Sequence, residues 1–168
     1  IFNQVKKIKP VPGRLEIVAK LKNNSKIIVD FAHTPEGLEQ TLIALKKQFN
    51  NKILIIFGCG GERDKDKRFK MGQIAKKYCR KIFVTDDNPR NENPTKIRYA
   101  IIKGCKKSAI NIGNRKSAIE EGINELNPNE ILLIAGKGHE TTQDYGKKII
   151  KFSDQEVVKK ILKKIKIH

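Results

Sequence analysis

The sequence predicts an α/β fold in which a Rossmann-like, mostly parallel sheet of about six strands is flanked by helices. Short apolar runs alternate along the chain with longer segments in which apolar residues recur every three or four positions. Three of the short runs, at 53–57, 82–84 and 131–135, are apolar throughout, which is typical of parallel strands covered on both faces. Parallel strands need crossover connections, which the helical segments supply.

The predicted fold begins with a hairpin. Alternating polar and apolar residues predict a strand over 14–19, and turn residues at 23–25 join it to a second strand over 26–31. Thr34 as N-cap and Pro35 as first helical residue then begin the first helix.

The remaining elements alternate between the two types. Prolines and capping residues mark the ends of the helices, and glycine or polar residues follow the strands. In order, we predict a helix over 35–48, a strand over 53–57, a helix over about 67–78, a strand over 81–85, a helix over 94–104, a short strand over 108–112, a helix over 115–126, strands over 131–135 and 147–152, and a terminal helix capped by Ser153.

Four polar or glycine-rich loops follow predicted strands, at 30–35, 58–63, 86–90 and 136–140. In open α/β sheets, ligands bind beyond the carboxyl ends of the strands. Any one loop alone is explained equally well as an ordinary turn. Together they predict a composite small-molecule site at one edge of the sheet.

The loop at 86–90 offers groups that recognise an amino acid. Pro89 fixes its own φ and biases Asn88 toward an extended conformation, so the backbone is stiff where Arg90 must be aimed. Arg90 can bind a carboxylate with two parallel hydrogen bonds, while Asp87 and Asn88 can accept from an ammonium group. The alternative is a turn in which Asp and Asn side chains cap local backbone.

The other three loops carry weaker signals. The Gly58-Cys59-Gly60-Gly61 run allows a close backbone approach to a ligand or simply a tight turn, and no Walker A pattern follows it. Arg63 adds a charged donor, or faces solvent. His33 is a structural hydrogen-bonding residue or a ligand contact. The remaining candidate contacts are Asp30 for a ribose or base, Gly136 for main-chain approach and Glu140 for an ammonium group.

Composition excludes several classes of protein. No apolar run approaches the ~20 residues of a membrane span, and the first residues lack a signal-peptide pattern. Cys59, Cys79 and Cys105 are too few and too widely spaced for a disulfide framework or a zinc site, which favours a reducing, cytoplasmic location. His139 and Glu140 do not form a zincin motif, because position 143 is Gln. No metal site is predicted.

The net charge of +18 raises the possibility of a basic nucleic-acid-binding module. The lysines are spread along the whole chain, and aromatic residues make up 6% with no stripe interleaved with arginine. We therefore expect a solvated basic surface, no nucleic-acid partner and no membrane partner, and a monomer. The absence of an initiator Met suggests a piece of a longer chain.

Five motifs in order resemble the C-terminal domain of the Mur ligases, and in particular its diaminopimelate-adding branch. They are V-P-G-R-L-E, V-D-F-A-H-T-P, F-G-C-G-G-E-R-D-K-D-K-R, T-D-D-N-P-R and A-G-K-G-H-E, which together span residues 11 to about 152. The resemblance implies that residues 1–13 are a linker at the end of a central ATPase domain and that 14–168 form the amino-acid-binding domain.

The resemblance also implies an activity. In that family ATP, with Mg²⁺, activates a carboxylate of a UDP-linked muramoyl dipeptide as an acyl phosphate, which the amino group of meso-diaminopimelate attacks. The residues that match the family's diaminopimelate pocket are Arg63, Asp87, Asn88, Pro89, Arg90, Gly136 and Glu140. Those that match its nucleotide contacts are Arg14, Asp30 and His33, and no catalytic residue is assigned in this chain.

Two departures limit what the chain is expected to do. It contains no phosphate-binding loop of the G-T-N-G-K-T type, and neither the ATPase domain nor the UDP-binding domain is present. We therefore expect ATP and Mg²⁺ to be bound mainly outside this chain, which should not turn over alone. Within the superfamily, a lysine-adding ligase or a folylpolyglutamate synthase-like domain is the alternative, and Asn88 and the D-D-N-P-R string disfavour both. Lysine-adding relatives tend to carry an acidic residue at the position of Asn88.

Overall fold

Two sheets and five helices make up the part of the chain that the computed structural model describes, residues 12–106 and 108–165. The strands, β1 to β8, are Glu16–Lys20, Lys26–Asp30, Ile53–Phe57, Lys81–Val84, Ala109–Asn111, Ile131–Ala135, Thr142–Asp144 and Ile149–Lys151. The helices, α1 to α5, are Pro35–Phe49, Asp66–Tyr78, Pro94–Gly104, Arg115–Asn124 and Asp154–Ile165.

The main sheet has six strands in the order β1-β2-β6-β3-β4-β5. β1 and β2 form the predicted antiparallel hairpin, and every other neighbouring pair is parallel. This confirms the predicted fold class. The four central strands, β2, β6, β3 and β4, are the ones that the four polar loops follow, so their carboxyl ends meet at one edge.

Helices cover both faces of the sheet. α1, α2 and α3 bury Leu42, Met71 and Ile101 against one face, and α4 and α5 bury Ile119 and Ile161 against the other. β3 and β6 are buried along their whole length, as their uninterrupted apolar sequences predict. The loops at the sheet edge are therefore mounted on a rigid, doubly covered scaffold.

Local sequence sets the ends of the helices. The side-chain oxygen of Thr34 accepts from the N–H of Gly37 at 3.1 Å, and Pro35 occupies the first turn of α1. Asn50 ends that helix in the left-handed conformation, with φ of 50°. Both features agree with the predicted helix.

Some boundaries differ from the predictions. β8 is shorter than the predicted 147–152, α4 ends at Asn124, and β7 was not predicted because three residues with no apolar alternation give no strand signal. Most of the predicted linker, residues 1–11, lies outside the described residues, so the domain boundary stays a prediction. Within the described ranges, no helix combines the length and apolarity that a bilayer crossing requires.

Candidate functional site

The four loops enclose a cleft of about 180 Å³ at the carboxyl edge of the sheet. It is lined by six of the seven residues predicted to hold an amino acid, together with His33: Arg63, Asp87, Asn88, Arg90, Gly136 and Glu140. Pro89 does not line it. Two larger clefts, of about 600 and 590 Å³, lie between α2 and α3 and beside α5, and neither contains a predicted site residue.

The glycine-rich loop after β3 packs backbone to backbone on the loop after β4. The N–H of Gly61 donates to the carbonyl of Asn88 at 2.9 Å. A Cβ at Gly61 would lie 1.9 Å from the carbonyl oxygen of Pro89, and one at Gly58 would lie 2.3 Å from that of Thr85. At these two positions, glycine is required for contact between two loops of the protein.

Arg90 is held so that only part of its guanidinium is free. Its Nη1 donates to the carbonyl of Gly61 at 2.8 Å, and its backbone N–H donates to the carbonyl of Asp144 at 3.0 Å. The Arg90 φ of 52° is unusual for a residue with a side chain, and these contacts stabilise it. Its Nε lies 3.9 Å from a carboxylate oxygen of Asp144. The Nη2 edge is left for a ligand, and the side chain is 25% exposed.

Asn88, Lys137 and Glu140 form a hydrogen-bonded triangle. Lys137 Nζ donates to Asn88 Oδ1 at 3.0 Å and to Glu140 Oε2 at 2.9 Å, and Asn88 Nδ2 donates to the same Glu140 oxygen at 2.9 Å. The N–H of Asp144 also donates to Asn88 Oδ1, at 3.0 Å. The Asn88 oxygen is thus occupied, so the expectation that it accepts from a ligand ammonium group does not fit this geometry.

Glu140 is a charged acceptor in the cleft. Burial raises the pKa of its carboxyl group, but the hydrogen bonds from Lys137 and Asn88 outweigh burial and lower the pKa below the ordinary value. All of the hydrogen bonds that Glu140 accepts from described side chains go to Oε2. Oε1 is therefore the oxygen that can accept from an ammonium group, as the sequence predicts for Glu140.

Asp87 supplies a second carboxylate, and Gly136 makes room for it. A Cβ on Gly136 would lie 2.8 Å from Asp87 Oδ2, and the Gly136 φ of 110° suits glycine alone. The role of Gly136 at this site is therefore steric. Asp87 is only 9% exposed, so its charge acts in surroundings with little water.

Arg115 is a buried cation beneath these carboxylates. Its Nε and Nη2 donate to the two carboxylate oxygens of Asp154, each at 2.8 Å, and both side chains are fully buried. Burial lowers the pKa of Arg115, but the charges of Asp154, Asp87 and Glu140 outweigh it and raise the pKa. Arg115 therefore lowers the cost of placing two carboxylates in one small cleft.

The β7–β8 hairpin supports the loop at 86–90 from outside. Gln143 Nε2 donates to the Asp86 carbonyl at 3.1 Å, and the Tyr145 hydroxyl lies 3.3 Å from Asp86 Oδ2. Asp86 also accepts from Arg98. Burial and the Asp86 charge raise the pKa of Tyr145 to about 12, so its hydroxyl keeps its hydrogen and donates. Asp86 is thus a structural carboxylate.

A second groove adjoins the cleft and contains the predicted nucleotide contacts Arg14, Asp30 and His33. Phe31 and His33 line both spaces. The guanidinium carbon of Arg14 lies 5.7 Å from the centroid of the Phe31 ring, within the range of a cation–π contact. His33 is exposed, and its Nδ1 lies 2.9 Å from the Phe31 carbonyl, which can only accept, so Nδ1 donates and Nε2 is the nitrogen left for a ligand.

The carboxylate oxygens of Asp30 already accept hydrogen bonds from other parts of the protein. Its Oδ2 accepts from the N–H of Leu15 at 2.8 Å, and its Oδ1 accepts from the N–H of Ala32 and the hydroxyl of Thr41, each at 3.0 Å. It is 7% exposed. The geometry therefore makes Asp30 the residue that joins the segment before β1 to the loop carrying His33.

Sequence reasoning missed Lys137 and Asp144. A lysine between two glycines in the loop after a buried strand is the signal that could have identified Lys137. Asp144 lies in the strand that gave no signal. Across residues 12–106 and 108–165, no three His, Cys, Asp or Glu side chains are placed to hold a metal ion.

The chain matches a protein-family model over most of its length. The model for "Mur ligase, glutamate ligase domain" matches residues 13–138. A relative named UDP-N-acetylmuramoyl-L-alanyl-D-glutamate–2,6-diaminopimelate ligase, from Rickettsia montanensis, is 48% identical over 166 residues, which are 97% of this chain and 34% of the relative. A ligase of the same name from Buchnera aphidicola is 43% identical over 98% of this chain and 33% of its own.

The chain is also similar to solved structures. A ligase with that name superposes with a TM-score of 0.84 and 33% identity, over 99% of this chain and 34% of the other. The Yersinia pestis folylpolyglutamate synthase/dihydrofolate synthase shares the fold alone, with a TM-score of 0.62 and 13% identity over 76% of this chain and 28% of its own. The chain spans about a third of the length of the curated relatives that it matches.

Proposed function

Because this chain belongs to the Mur ligase family, as its glutamate ligase domain, we propose that it binds the incoming amino acid in a ligase that adds meso-diaminopimelate to UDP-N-acetylmuramoyl-L-alanyl-D-glutamate in peptidoglycan synthesis. One observation carries this proposal. Donors on Arg90 and Asn88 and acceptors on Glu140 and Asp87 line one small cleft, which matches the carboxylate and the ammonium of an amino acid.

The reaction forms an amide bond. ATP, with Mg²⁺, converts a carboxylate of the UDP-linked dipeptide to an acyl phosphate; the diaminopimelate amine then attacks the acyl carbon and phosphate leaves. We propose that the parts of the enzyme outside this chain supply this activation, so that this chain alone does not turn over. Its own contribution is to hold the amine in one place and orientation, which lowers the entropic part of the barrier.

We propose that the cleft binds one end of the diaminopimelate molecule. The Nη2 edge of Arg90 and the free Nδ2 hydrogen of Asn88 donate to the carboxylate, and Glu140 Oε1 and Asp87 accept from the ammonium. This is the end at which lysine lacks a carboxylate. Arg63 is exposed at the same cleft and adds positive charge that favours an anionic ligand. The other amino group then faces the opening beside His33.

The adjoining groove is proposed to contact the nucleotide. The guanidinium of Arg14 and the Nε2 of His33 are the groups that fit a phosphate and a polar edge, respectively. Asp30 acts through the loop that it holds, because its own oxygens are already bonded. Phe31 and His33 line both spaces, which supports a nucleotide bound beside the amine.

The competing functions fit the cleft less well. A lysine-adding ligase needs an acceptor where Asn88 offers a donor. A nucleic-acid-binding module rests on the charge of +18 alone. We propose a cytoplasmic monomer with no nucleic-acid partner.

Calorimetry distinguishes the proposed function from a lysine-adding ligase. We expect meso-diaminopimelate to bind this chain more tightly than L-lysine at moderate salt, and Arg90→Met to weaken its binding about tenfold or more. Lys81→Met, far from the cleft on β4, is the matched control and should bind as the unchanged chain does. Tighter binding of L-lysine would contradict the proposal. Binding of random duplex that persists at ~200 mM salt would instead favour the nucleic-acid alternative.

A further inference from the structure

Lys137 is a fully buried lysine whose ammonium group lies under the amino-acid cleft. Its two described acceptors are Asn88 Oδ1, at 3.0 Å, and Glu140 Oε2, at 2.9 Å. Burying an ammonium group is costly unless it is paired and hydrogen-bonded. The contacts with Asn88 and Glu140 show what this lysine is paired with, and the proposed function gives it no role.

The contacts of Asn88 determine which way its amide points. Two donors, Lys137 Nζ and the N–H of Asp144, converge on Oδ1, and Nδ2 donates to Glu140 Oε2. Turning the amide over would place its NH₂ group against two donors and its oxygen against a carboxylate, so all three contacts would become repulsive. The oxygen faces inward, and the one remaining Nδ2 hydrogen is offered to a ligand.

We propose that Lys137 is a positioning residue that fixes Asn88 with its donor toward the ligand, so that the site prefers diaminopimelate, which carries a second carboxylate, over lysine, which lacks it. This inference rests on the proposed function and adds to it the residue that sets its selectivity. Diaminopimelate and lysine differ at one carbon, where the first carries a carboxylate. A donor at Asn88 matches that carboxylate, and an acceptor would match an ammonium group instead.

The charge of Lys137 also favours diaminopimelate over lysine. Asp87 and Glu140 place two negative groups in the cleft, and the Lys137 ammonium offsets one of them at 2.9 Å. Without Lys137, the cleft would be more negative, and Asn88 Oδ1 would accept from the N–H of Asp144 alone. Both changes favour lysine, which has a net positive charge, over diaminopimelate, whose second carboxylate makes it net neutral.

Two variants separate the hydrogen bond from the charge. Lys137→Met fills a similar volume and removes both, and Lys137→Gln removes the charge but keeps an N–H that can reach Asn88. Calorimetry on the full chain gives the ratio of the dissociation constants for L-lysine and meso-diaminopimelate. We expect Lys137→Met to lower that ratio about tenfold or more, and Lys137→Gln to lower it less.

Nuclear magnetic resonance tests the amide directly, without a ligand. In the unchanged chain, the amide hydrogen of Asp144 should show no strong Overhauser effect to the Asn88 NH₂ group, since it faces Oδ1. In Lys137→Met we expect that effect to appear as the amide turns over in part of the molecules. This readout does not depend on whether the variant is less stable, provided that it folds.

The outcomes distinguish the inference from the function on which it rests. A ratio that Lys137→Met leaves unchanged would overturn the inference and leave the proposed function standing. A strong Asp144–Asn88 NH₂ effect in the unchanged chain would overturn it even if neither variant folds. An unchanged chain that binds neither amino acid would contradict the proposed function, and the Overhauser result would still decide whether Lys137 orients Asn88.

Discussion

Gly61 lies so close to Pro89 that a Cβ on the glycine would stand 1.9 Å from the proline carbonyl oxygen. The glycine-rich loop and the loop at 86–90 therefore form one unit, joined by the hydrogen bonds that Gly61 makes with Asn88 and Arg90. The guanidinium of Arg90 is aimed by a loop that comes from a different strand. Any change that separates the two loops should therefore affect the amino-acid cleft.

Replacing Gly61 with Ala tests this contact. The added methyl would force the two backbones apart, so we expect a loss of about 2–4 kcal/mol in the free energy of unfolding, together with weaker binding of meso-diaminopimelate. Gly60→Ala is the control for stability, because its Cβ would meet the end of the Arg90 side chain at 3.0 Å, rather than backbone, and nothing else closer than 3.7 Å. Chemical denaturation gives the free energy of unfolding of both variants. Equal losses in the two would contradict the proposed role of the contact between Gly61 and Pro89.

Asn88→Asp tests the polarity of the site. The new carboxylate would place a negative charge beside Glu140, and a second ligand carboxylate would be repelled. We expect binding of meso-diaminopimelate to weaken about tenfold or more and the preference over L-lysine to disappear. Calorimetry with both amino acids gives the two dissociation constants and therefore the preference. Asn88→Ala, which removes the donor without adding charge, should weaken binding but keep L-lysine the poorer ligand.

Much of the fold could be predicted because its signals are local. The uninterrupted apolar strands β3 and β6 lie at the centre of the sheet, and Thr34 and Pro35 begin α1 as their residue types predict. The rule that ligands bind at the carboxyl ends of strands then predicted correctly which four loops lie at one edge of the sheet. It succeeded because β2, β6, β3 and β4 are neighbours in the sheet.

The orientation of individual side chains could not be predicted in the same way. Whether Asn88 offers its oxygen or its nitrogen depends on Lys137, 49 positions along the chain, and on Asp144, 56 positions along. Asp30 was predicted to contact a nucleotide, but its oxygens bind Leu15, Ala32 and Thr41. Residue type gives a side chain's capacity for hydrogen bonds, and only the tertiary structure decides which partner uses it.

Arg115→Met tests the buried ion pair beneath the cleft. It would leave the Asp154 carboxylate buried without its partner, so we expect a loss of about 3–5 kcal/mol in the free energy of unfolding. The double variant Arg115→Met/Asp154→Leu should recover much of that loss, because neither charge remains buried. Lys77→Met breaks the exposed pair with Glu39 and should leave the denaturation midpoint unchanged. A double variant as unstable as the single one would show that packing, not charge, sets the loss.

Glu92 makes the stability of the site depend on pH. Its carboxylate accepts from Arg68 of α2 at 2.7 and 2.8 Å and from the N–H of Glu62, in the glycine-rich loop, at 3.2 Å, and so links both to the segment that follows the loop at 86–90. The hydrogen bonds from Arg68 lower the pKa of Glu92 to about 2. Because the pKa is lower in the folded state, the stabilisation is fully present above about pH 4.5, the unfolded value, and is lost as the pH falls toward 2.

Glu92→Gln should therefore be less stable than the unchanged chain at pH 7, by about 2 kcal/mol, and the difference should shrink steadily between pH 4.5 and 2. Urea denaturation at several pH values measures both curves. Glu120→Gln, an exposed change on α4, should follow the curve of the unchanged chain throughout. A Glu92→Gln difference that stayed constant down to pH 2 would mean that the shape of the side chain, rather than its charge, links Arg68 to the glycine-rich loop.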